Sequence, residues 1–325
     1  MKILCTGGAG FIGSNTVAVL VKHHHNVMVV DNFSTGKMEN LKDARGVHIN
    51  ICDITDAKKL EGAFYDFMPS AVIHLAAQSA ISTSKKYPKR DIDINILGTL
   101  NVIEMSLRYG VRKLVFSSTS AVYASGRAPL FGMSESHRCD PESPYGINKL
   151  AAEQYIRSVF PSHVIFRYGN VYGPKQVPVG ENQVIARALS HYNLGLDFKV
   201  TGDGKQKRDY IYVEDIAYAN MEAATSDKIG TFNLCTGTSR SVNEVLRHIA
   251  DLYGVPGYQW THTNEQDPRG DVYTNNAKVR HEFGFSFIGL REGLTRTIDW
   301  WEKKGKSSGE NFSTSLPTHN FLTLG

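Results

Sequence analysis

Seven short, nearly continuous apolar runs, Lys2–Cys5, Val27–Val30, Val47–Ile51, Ala71–Leu75, Lys113–Ser117, Val164–Tyr168 and Thr231–Leu234, divide the first three quarters of the chain. Between most of them lie stretches whose apolar residues recur at helical spacing: Phe11–Lys22, Ala57–Phe67, Ile92–Tyr109, Gly146–Phe160 and Val213–Ala224. Strands without polar alternation are buried on both faces, so the pattern predicts a parallel sheet with helices on either side. From Val171 the alternation loosens into Tyr-Gly-Pro and Val-Pro-Val-Gly, a predicted helix over 181–192 and a glycine turn at Gly202–Gly204. Tyr210–Ala224 and Thr231–Leu234 read as a return to the sheet, followed by a second irregular stretch. The expected organisation is therefore a large α/β domain, 1–170 with about 209–235, and a smaller discontinuous lobe, 171–208 with 236–304. Residues 305–325, rich in Ser, Thr, Gly and Asn, have no periodicity and are expected to form a mobile polar tail.

The first run leads straight into Gly7-Gly8-Ala9-Gly10-Phe11-Ile12-Gly13, three glycines spaced three apart between a strand and a helix. Gly7 permits the tight turn, Gly10 lets backbone approach a pyrophosphate, and Gly13 lets the helix pack close to the strand. The helix N-terminus then offers unpaired N–H groups to phosphate oxygens. Eighteen residues past Gly13 the second run ends on Asp31, an acid placed to accept both hydroxyls of an adenosine ribose and to repel a 2′-phosphate. Together these features predict a Rossmann-type, doubly wound sheet that binds NAD rather than NADP. Asp31, Asp53, Ala76-Ala77, Ser117–Thr119 and Asn170 all follow strand ends, where such folds gather their ligands.

Composition narrows the partners. Of 325 residues, 41% are hydrophobic and 21% charged, the balance of an ordinary globule. The net charge of +4 is dispersed without basic runs, which argues against nucleic acid and suits a small anionic substrate. With a strand predicted from residue 2 and no apolar run of membrane-spanning length, a cytoplasmic protein is expected. Cys5, Cys52, Cys139 and Cys235 are too far apart to suggest a metal site or a disulfide framework, and reduced thiols are expected. His23-His24-His25 reads as a solvated turn, His74 as a hydrogen-bonded packing residue, and Trp260, Trp300 and Trp301 as core or lobe contacts.

The candidate chemistry lies at Tyr145-Gly146-Ile147-Asn148-Lys149, where a phenol and an ammonium one helical turn apart face the same way. Such a pair alone is commonly a surface pair; behind a dinucleotide cradle it becomes a candidate base. Lowering a tyrosine pKa by about 3 units corresponds to roughly 4 kcal/mol, within reach of a neighbouring ammonium and a cationic nicotinamide ring. Upstream, Phe116-Ser117-Ser118-Thr119-Ser120-Ala121-Val122-Tyr123 brings hydroxyls to the sheet edge, completing a Thr/Tyr/Lys set.

These motifs, together with Asp31-Asn32, Asp53-Ile54, His74-Leu75-Ala76-Ala77, Asn95 and Arg167-Tyr168-Gly169-Asn170-Val171-Tyr172-Gly173-Pro174, resemble the extended short-chain dehydrogenase/reductases. Within them the resemblance, covering about residues 1 to 300, is to nucleotide-sugar epimerases and dehydratases of the UDP-glucose 4-epimerase type. It implies that Tyr145 takes a proton from a sugar hydroxyl while hydride passes to NAD from the same carbon, with Thr119 sharing a hydrogen bond and Lys149 holding the nicotinamide ribose. The keto sugar then turns over and receives hydride on its other face. The cofactor contacts implied are Gly7, Gly10, Phe11, Ile12, Gly13, Asp31, Asn32, Ser34, Gly36, Asp53, Ile54, Leu75, Ala76, Ala77, Asn95, Ser117, Lys149 and Tyr168. For the nucleotide sugar they are Thr119, Tyr145, Asn170, Val184, Lys199, Thr201, Arg208, Arg269 and Asp271. No metal is implied. Helices Ile92–Tyr109 and Gly146–Phe160 resemble the pair that builds a four-helix dimer contact in relatives, so a homodimer is expected.

Dehydratases of this superfamily resemble one another in an Asp-Glu after the Thr, and UDP-glucuronate decarboxylases in Thr-Ser-Glu. Ser120-Ala121 supplies neither acid, which favours epimerisation over dehydration, decarboxylation or net oxidation. A non-catalytic NAD-sensing protein is the further alternative. Where relatives read Arg-x-Gly-Asp, this chain has Arg269-Gly270-Asp271, and the stretch from Asp271 to Lys278, which helps enclose the sugar in the family, is a few residues short. The identity of the sugar, hexose, N-acetylhexosamine or uronic acid, stays open at this point.

Overall fold

In a computed structural model, which describes residues 1–124, 128–178, 183–193, 198–254, 260–265 and 270–308, the apolar runs form one seven-stranded parallel sheet. Its strands are β1 (Lys2–Thr6), β2 (Asn26–Asp31), β3 (His48–Ile51), β4 (Ala71–His74), β5 (Lys113–Thr119), β6 (His163–Tyr168) and, later in the chain, β10 (Gly230–Leu234), in the order β10-β6-β5-β4-β1-β2-β3. The order reverses between β1 and β4, and it is there that the strand ends open a crevice for a ligand.

Alternate residues of each strand feed two cores. Ile3, Cys5, Ile73, Val115 and Phe166 pack beneath α1 (Phe11–Lys22) and α8 (Val213–Thr225), whereas Leu4, Val72, Leu114, Phe116 and Ile165 pack beneath α2 (Ala57–Phe67), α5 (Thr99–Arg108) and α6 (Pro144–Val159). The crossover between β4 and β5 is not one continuous helix. It runs through α3 (Ile81–Lys86), α4 (Pro88–Ile92) and a π-helical turn at Asp93–Gly98 before α5. Gly98 lies where an added Cβ would sit 2.6 Å from Ile54 Cδ1, so the wide turn brings the helix against the β3 loop where an ordinary side chain would collide.

The remaining elements are β7 (Asn170–Tyr172), α7 (Val184–Asn193), β8 (Lys199–Val200), β9 (Lys207–Tyr212), β11 (Ser239–Ser241), α9 (Val242–Leu252), β12 (Thr261–His262), α10 (Ala277–Phe283) and α11 (Leu290–Ser308). The strand at Tyr210 does not rejoin the large sheet: β9 lies between β7 and β11 in a separate three-stranded sheet, and β8 pairs with β12. These strands pack with α7, α9 and α11 around Tyr172, Leu189, Tyr212, Leu246, Ile298 and Trp301, so the tryptophan next to Ile298 is a core residue. The second irregular stretch contains three helices, α9, α10 and α11. Ser241-Val242-Asn243-Glu244 forms a reciprocal capping box ahead of Val242, Val245, Leu246 and Ile249, a legible start signal. Helix α11 continues past Lys304 to Ser308, so residues 305–308 of the expected tail are helical; residues 309–325 lie outside the described residues, as do residues 181 and 182 of the expected helix. The three histidines occupy the turn between α1 and β2, with His24 at φ 61°, and all four cysteines are free thiols.

Close approach is strictest at the first turn. Gly7 has φ 68°, and a Cβ at Gly13 would lie 2.0 Å from the Gly7 carbonyl oxygen. Gly13→Ala is therefore expected to push α1 away from β1, costing about 1–3 kcal/mol and lowering NAD affinity; urea unfolding and NAD titration measure the two effects.

Candidate active site

Strand ends β1, β2, β4 and β5 surround the crevice. No side chain caps the N-terminus of α1, where Gly10 is the first flanking residue, so the N–H groups of Phe11, Ile12 and Gly13 face out of the turn. At the end of β2, the buried Asp31 carboxylate accepts the Ala9 N–H at 2.9 Å and the Phe33 N–H at 2.8 Å, fixing it beside the glycine loop. Asn32 donates to Asp53 at 2.7 Å and accepts from the Ser34 N–H, and a Cβ on Gly36 would press against Ala9. A donor-rich helix end, a turn that tolerates no side chain and an acid at the second strand end fit a dinucleotide whose ribose carries free hydroxyls.

The floor of the crevice is organised by His74. Thr99 donates its hydroxyl proton to the Asn95 carbonyl at 2.8 Å, so it accepts from His74 Nε2 at 3.0 Å; His74 Nδ1 then accepts from the Thr6 hydroxyl at 2.7 Å, and Thr6 in turn accepts the Ala76 N–H. This chain of donors fixes a neutral imidazole. Burial, followed by the Lys149 charge, pushes its pKa down to about 3. His74 thus ties the ends of β1 and β4 to the π turn, as a packing histidine. Asn95 makes two hydrogen bonds to the backbone of Gln78, at 3.0 and 2.9 Å, and so shapes the loop that continues Leu75, Ala76 and Ala77. Asn95 and Ile54 are both buried behind the cofactor loops.

Helix α6 starts where Ser143 caps the Gly146 N–H at 3.1 Å and Pro144 occupies the first turn. Its opening turn lies against the β5 end, where a Cβ on Gly146 would meet the Ala121 carbonyl oxygen at 2.4 Å. The Tyr145 N–H donates to Ser84, a partner with no local sequence signal. Thr119 accepts the Ala121 N–H at 3.1 Å and directs its own hydroxyl at the phenol. Burial pushes Tyr145 up to about 12, the Thr119 bond pulls it down, and Asp91 pushes it further up. One turn on, Lys149 is 2% exposed with Nζ 4.0 Å from the Phe116 ring centre. Burial pulls its pKa down to about 7 against the opposing pull of Glu153 and Asp91. The sequence-predicted Thr119, Tyr145 and Lys149 are thus brought together at one strand end. Ser117 is nearby and donates to the His74 carbonyl. Tyr168 turns its hydroxyl away to Asn220 at 2.8 Å, leaving its ring and backbone as the wall.

Glu153, one turn beyond Lys149, is fully buried. It takes two bonds from Arg167 at 3.0 and 2.7 Å and one from Ser118 at 2.5 Å; Arg167 also donates to Tyr123, which donates to Asn233. This network pins α6 to β5, β6 and β10.

On the other side of the crevice, Asn170 begins β7 opposite Tyr210, Val184 heads α7, and Lys199 and Thr201 are exposed on either side of buried Val200. Arg208 is 4% exposed and donates to the Lys207 and Gly270 carbonyls, while Asp271 accepts the Lys207 N–H at 2.8 Å, so both lie at the junction of β9 with the 270–272 segment. Arg269 lies outside the described residues.

A doubly wound sheet with a dinucleotide turn and a Thr/Tyr/Lys constellation defines a pyridine-nucleotide enzyme of the short-chain type. Comparison with known proteins makes the assignment specific: residues 3–235 match the model of the NAD dependent epimerase/dehydratase family, and the chain belongs to that family. It is 34% identical to a UDP-glucose 4-epimerase of Mycolicibacterium smegmatis, over 94% of this chain and all of that one. Its fold is similar to the crystal structure of UDP-glucose 4-epimerase with UDP-glucose from Thermotoga maritima, with TM-score 0.88, 35% identity, 94% of this chain and 99% of that one. It is likewise similar to a UDP-N-acetylglucosamine 4-epimerase from Methanobrevibacter ruminantium in complex with UDP-N-acetylmuramic acid, with TM-score 0.86, 32% identity, 93% of this chain and 98% of that one.

Removing Arg167 would leave the buried Glu153 carboxylate with only Ser118 and the more distant Arg157, 3.5 Å away. Arg167→Met is expected to cost about 3–5 kcal/mol in urea unfolding, and the double change Arg167→Met with Glu153→Gln to recover much of the loss.

Proposed function

We propose that the protein is an NAD-dependent UDP-hexose 4-epimerase. The observation that carries the reading is the convergence of Thr119, Tyr145 and Lys149 at the end of β5, with the Thr119 hydroxyl near enough to the phenol to favour its ionised form and Lys149 one turn along α6. NAD, when bound, supplies the hydride acceptor, the returning hydride and a positive charge beside the phenol. Tyr145 takes the proton of the sugar 4-hydroxyl and later gives it back. Thr119 orients that exchange through its hydroxyl, and Lys149 stabilises the phenolate electrostatically and holds the cofactor ribose. Asn170 and Arg208 meet the diphosphate, and α7 with β8 meets the base, with Asp271 completing the pocket. In this reading, residues 1–170 with about 209–235 carry the cofactor, and 171–208 with 236–304 carry the nucleotide sugar.

The strand end also explains why the keto sugar is reduced rather than dehydrated. Thr119-Ser120-Ala121 contributes no carboxyl group, and the Ala121 carbonyl packs against Gly146. Asp91 is fully buried with both carboxylate oxygens engaged by protein donors, so it is not a general acid for elimination.

A homodimer belongs to the same reading. Ile92 and Leu97 around the π turn, with Ile147, Tyr155 and Val159 on α6, are exposed apolar side chains on the two helical segments that would pair with a second copy. Free thiols and nucleotide-sugar chemistry likewise support a cytoplasmic location.

Incubation with UDP-, GDP-, CDP- and dTDP-sugars followed by NMR is expected to show interconversion of UDP-gluco and UDP-galacto epimers with no net reduction of NAD. Tyr145→Phe should keep NAD and lose about 10²–10⁴-fold in turnover; unchanged turnover, or accumulation of an oxidised or dehydrated sugar, overturns the assignment. Sedimentation equilibrium is expected to give twice the chain mass, and Tyr155→Asp to shift it towards the single chain.

A further inference from the structure

Asp91 is a fully buried acidic side chain near Tyr145 and Lys149, and both of its hydrogen-bond partners are neutral amides. It lies on α4 and faces two elements at once. One oxygen accepts Gln78 Nε2 at 2.6 Å and the other accepts Asn148 Nδ2 at 2.7 Å. Gln78 has no freedom to turn: its amide also donates to the Ala80 carbonyl and accepts the Ala80 N–H, and its backbone is clamped by Asn95. Asn148 sits on α6 between Tyr145 and Lys149. A single carboxylate therefore joins the loop that continues the cofactor-binding Leu75-Ala76-Ala77 segment to the helix that carries the phenol and the ammonium.

The surrounding charges define what this carboxylate adds. On α6, Glu153 is matched by Arg167 from β6. From β4, His74 is neutral and feels Lys149; from β6, Tyr168 feels Tyr145. Lys85, Lys86, Lys89, Arg90 and Asp93, on α3, α4 and the π turn, are exposed and solvent-screened. Lys149 thus faces two buried carboxylates, Glu153, which Arg167 already holds, and Asp91, whose partners are neutral amides. We propose that Asp91 is a positioning residue for the reaction: it locks the cofactor-edge loop to the catalytic helix and, together with Glu153, places negative charge beside Lys149. The cost falls on Tyr145, whose phenolate the same charge opposes, so the base ionises only when positive charge is brought alongside it.

The proposal rests on the assignment of Tyr145 as the base, and the test separates the two. Asp91→Asn removes the charge, and turning over the Asn148 amide restores both hydrogen bonds, so the contacts survive. In the NAD-loaded enzyme, the tyrosinate absorbance difference against Tyr145→Phe reports the phenol directly. With Asp91→Asn its midpoint is expected to fall by about one pH unit, and both limbs of the kcat/KM pH profile to move to lower pH with it: the acid limb because the phenolate forms sooner, the alkaline limb because Lys149 loses its proton sooner. Asp91→Glu keeps the charge and is expected to leave both limbs in place even where kcat falls. Asn148→Ala, which strips a donor from the carboxylate and keeps its charge, is expected to move the Tyr145 midpoint upward. An unmoved midpoint in Asp91→Asn overturns the proposal, as does a downward move in Asn148→Ala, which remains decisive should Asp91→Asn fail to fold. A Tyr145→Phe enzyme with full turnover overturns the base assignment instead.

Discussion

The arrangement depends on one buried ion pair, Glu153 with Arg167. Helix α6 begins at a cap on the crevice edge and would be free to slide or rotate along the sheet if only apolar contacts held it, since Ala152 and Ile156 pack without directional preference. Two fork-like bonds from Arg167, a third from Ser118 and the continuation through Tyr123 to Asn233 fix its rotation to β5, β6 and β10 simultaneously. Tyr145 and Lys149, two turns and one turn before Glu153 on the same face, inherit that orientation. Asn233 carries the constraint further, donating to the Met133 and Asn275 carbonyls, so the large sheet and the segment around Asp271 share one buried polar network.

That rigidity gives the titrations at the site their meaning. The protein's own groups hold the Tyr145 phenol near 12 and the Lys149 ammonium near 7, an ordering opposed to base catalysis at neutral pH. Ionising the phenol near neutral pH requires positive charge beside it, since burial and Asp91 both oppose the phenolate. A positive ring in a crevice walled by buried side chains would be such a charge, because charges interact strongly where water is excluded. Under the proposed mechanism, chemistry is thereby tied to cofactor binding.

The relatives act on UDP-glucose and on UDP-N-acetylglucosamine with closely similar folds. The shared scaffold therefore sets the reaction, and the sugar pocket sets the substrate. In this chain the stretch after Asp271 bridges through Thr274 to Met133 next to Gly132, where an added Cβ would collide with Thr274.

Much of this was written locally in the chain. Continuous apolar runs, the three glycines, Asp31 at a strand end and Tyr145 one turn from Lys149 each encode a feature that nearest neighbours decide, and strand, turn and helix register follow from them. The π turn at Asp93–Gly98, the diversion of Lys207–Tyr212 into a second sheet and the extension of the last helix to Ser308 were hidden, because each depends on what another part of the molecule places beside it: Ile54 against Gly98, β7 and β11 against β9, and the Tyr172–Trp301 core against α11. The same holds for Asp91, Gln78, Ser84 and Glu153, polar residues with no motif of their own. Sequence determined which groups could do the chemistry, since that depends on residue type and local spacing; only the tertiary structure decided their protonation and orientation, since those come from burial and from charges distant along the chain.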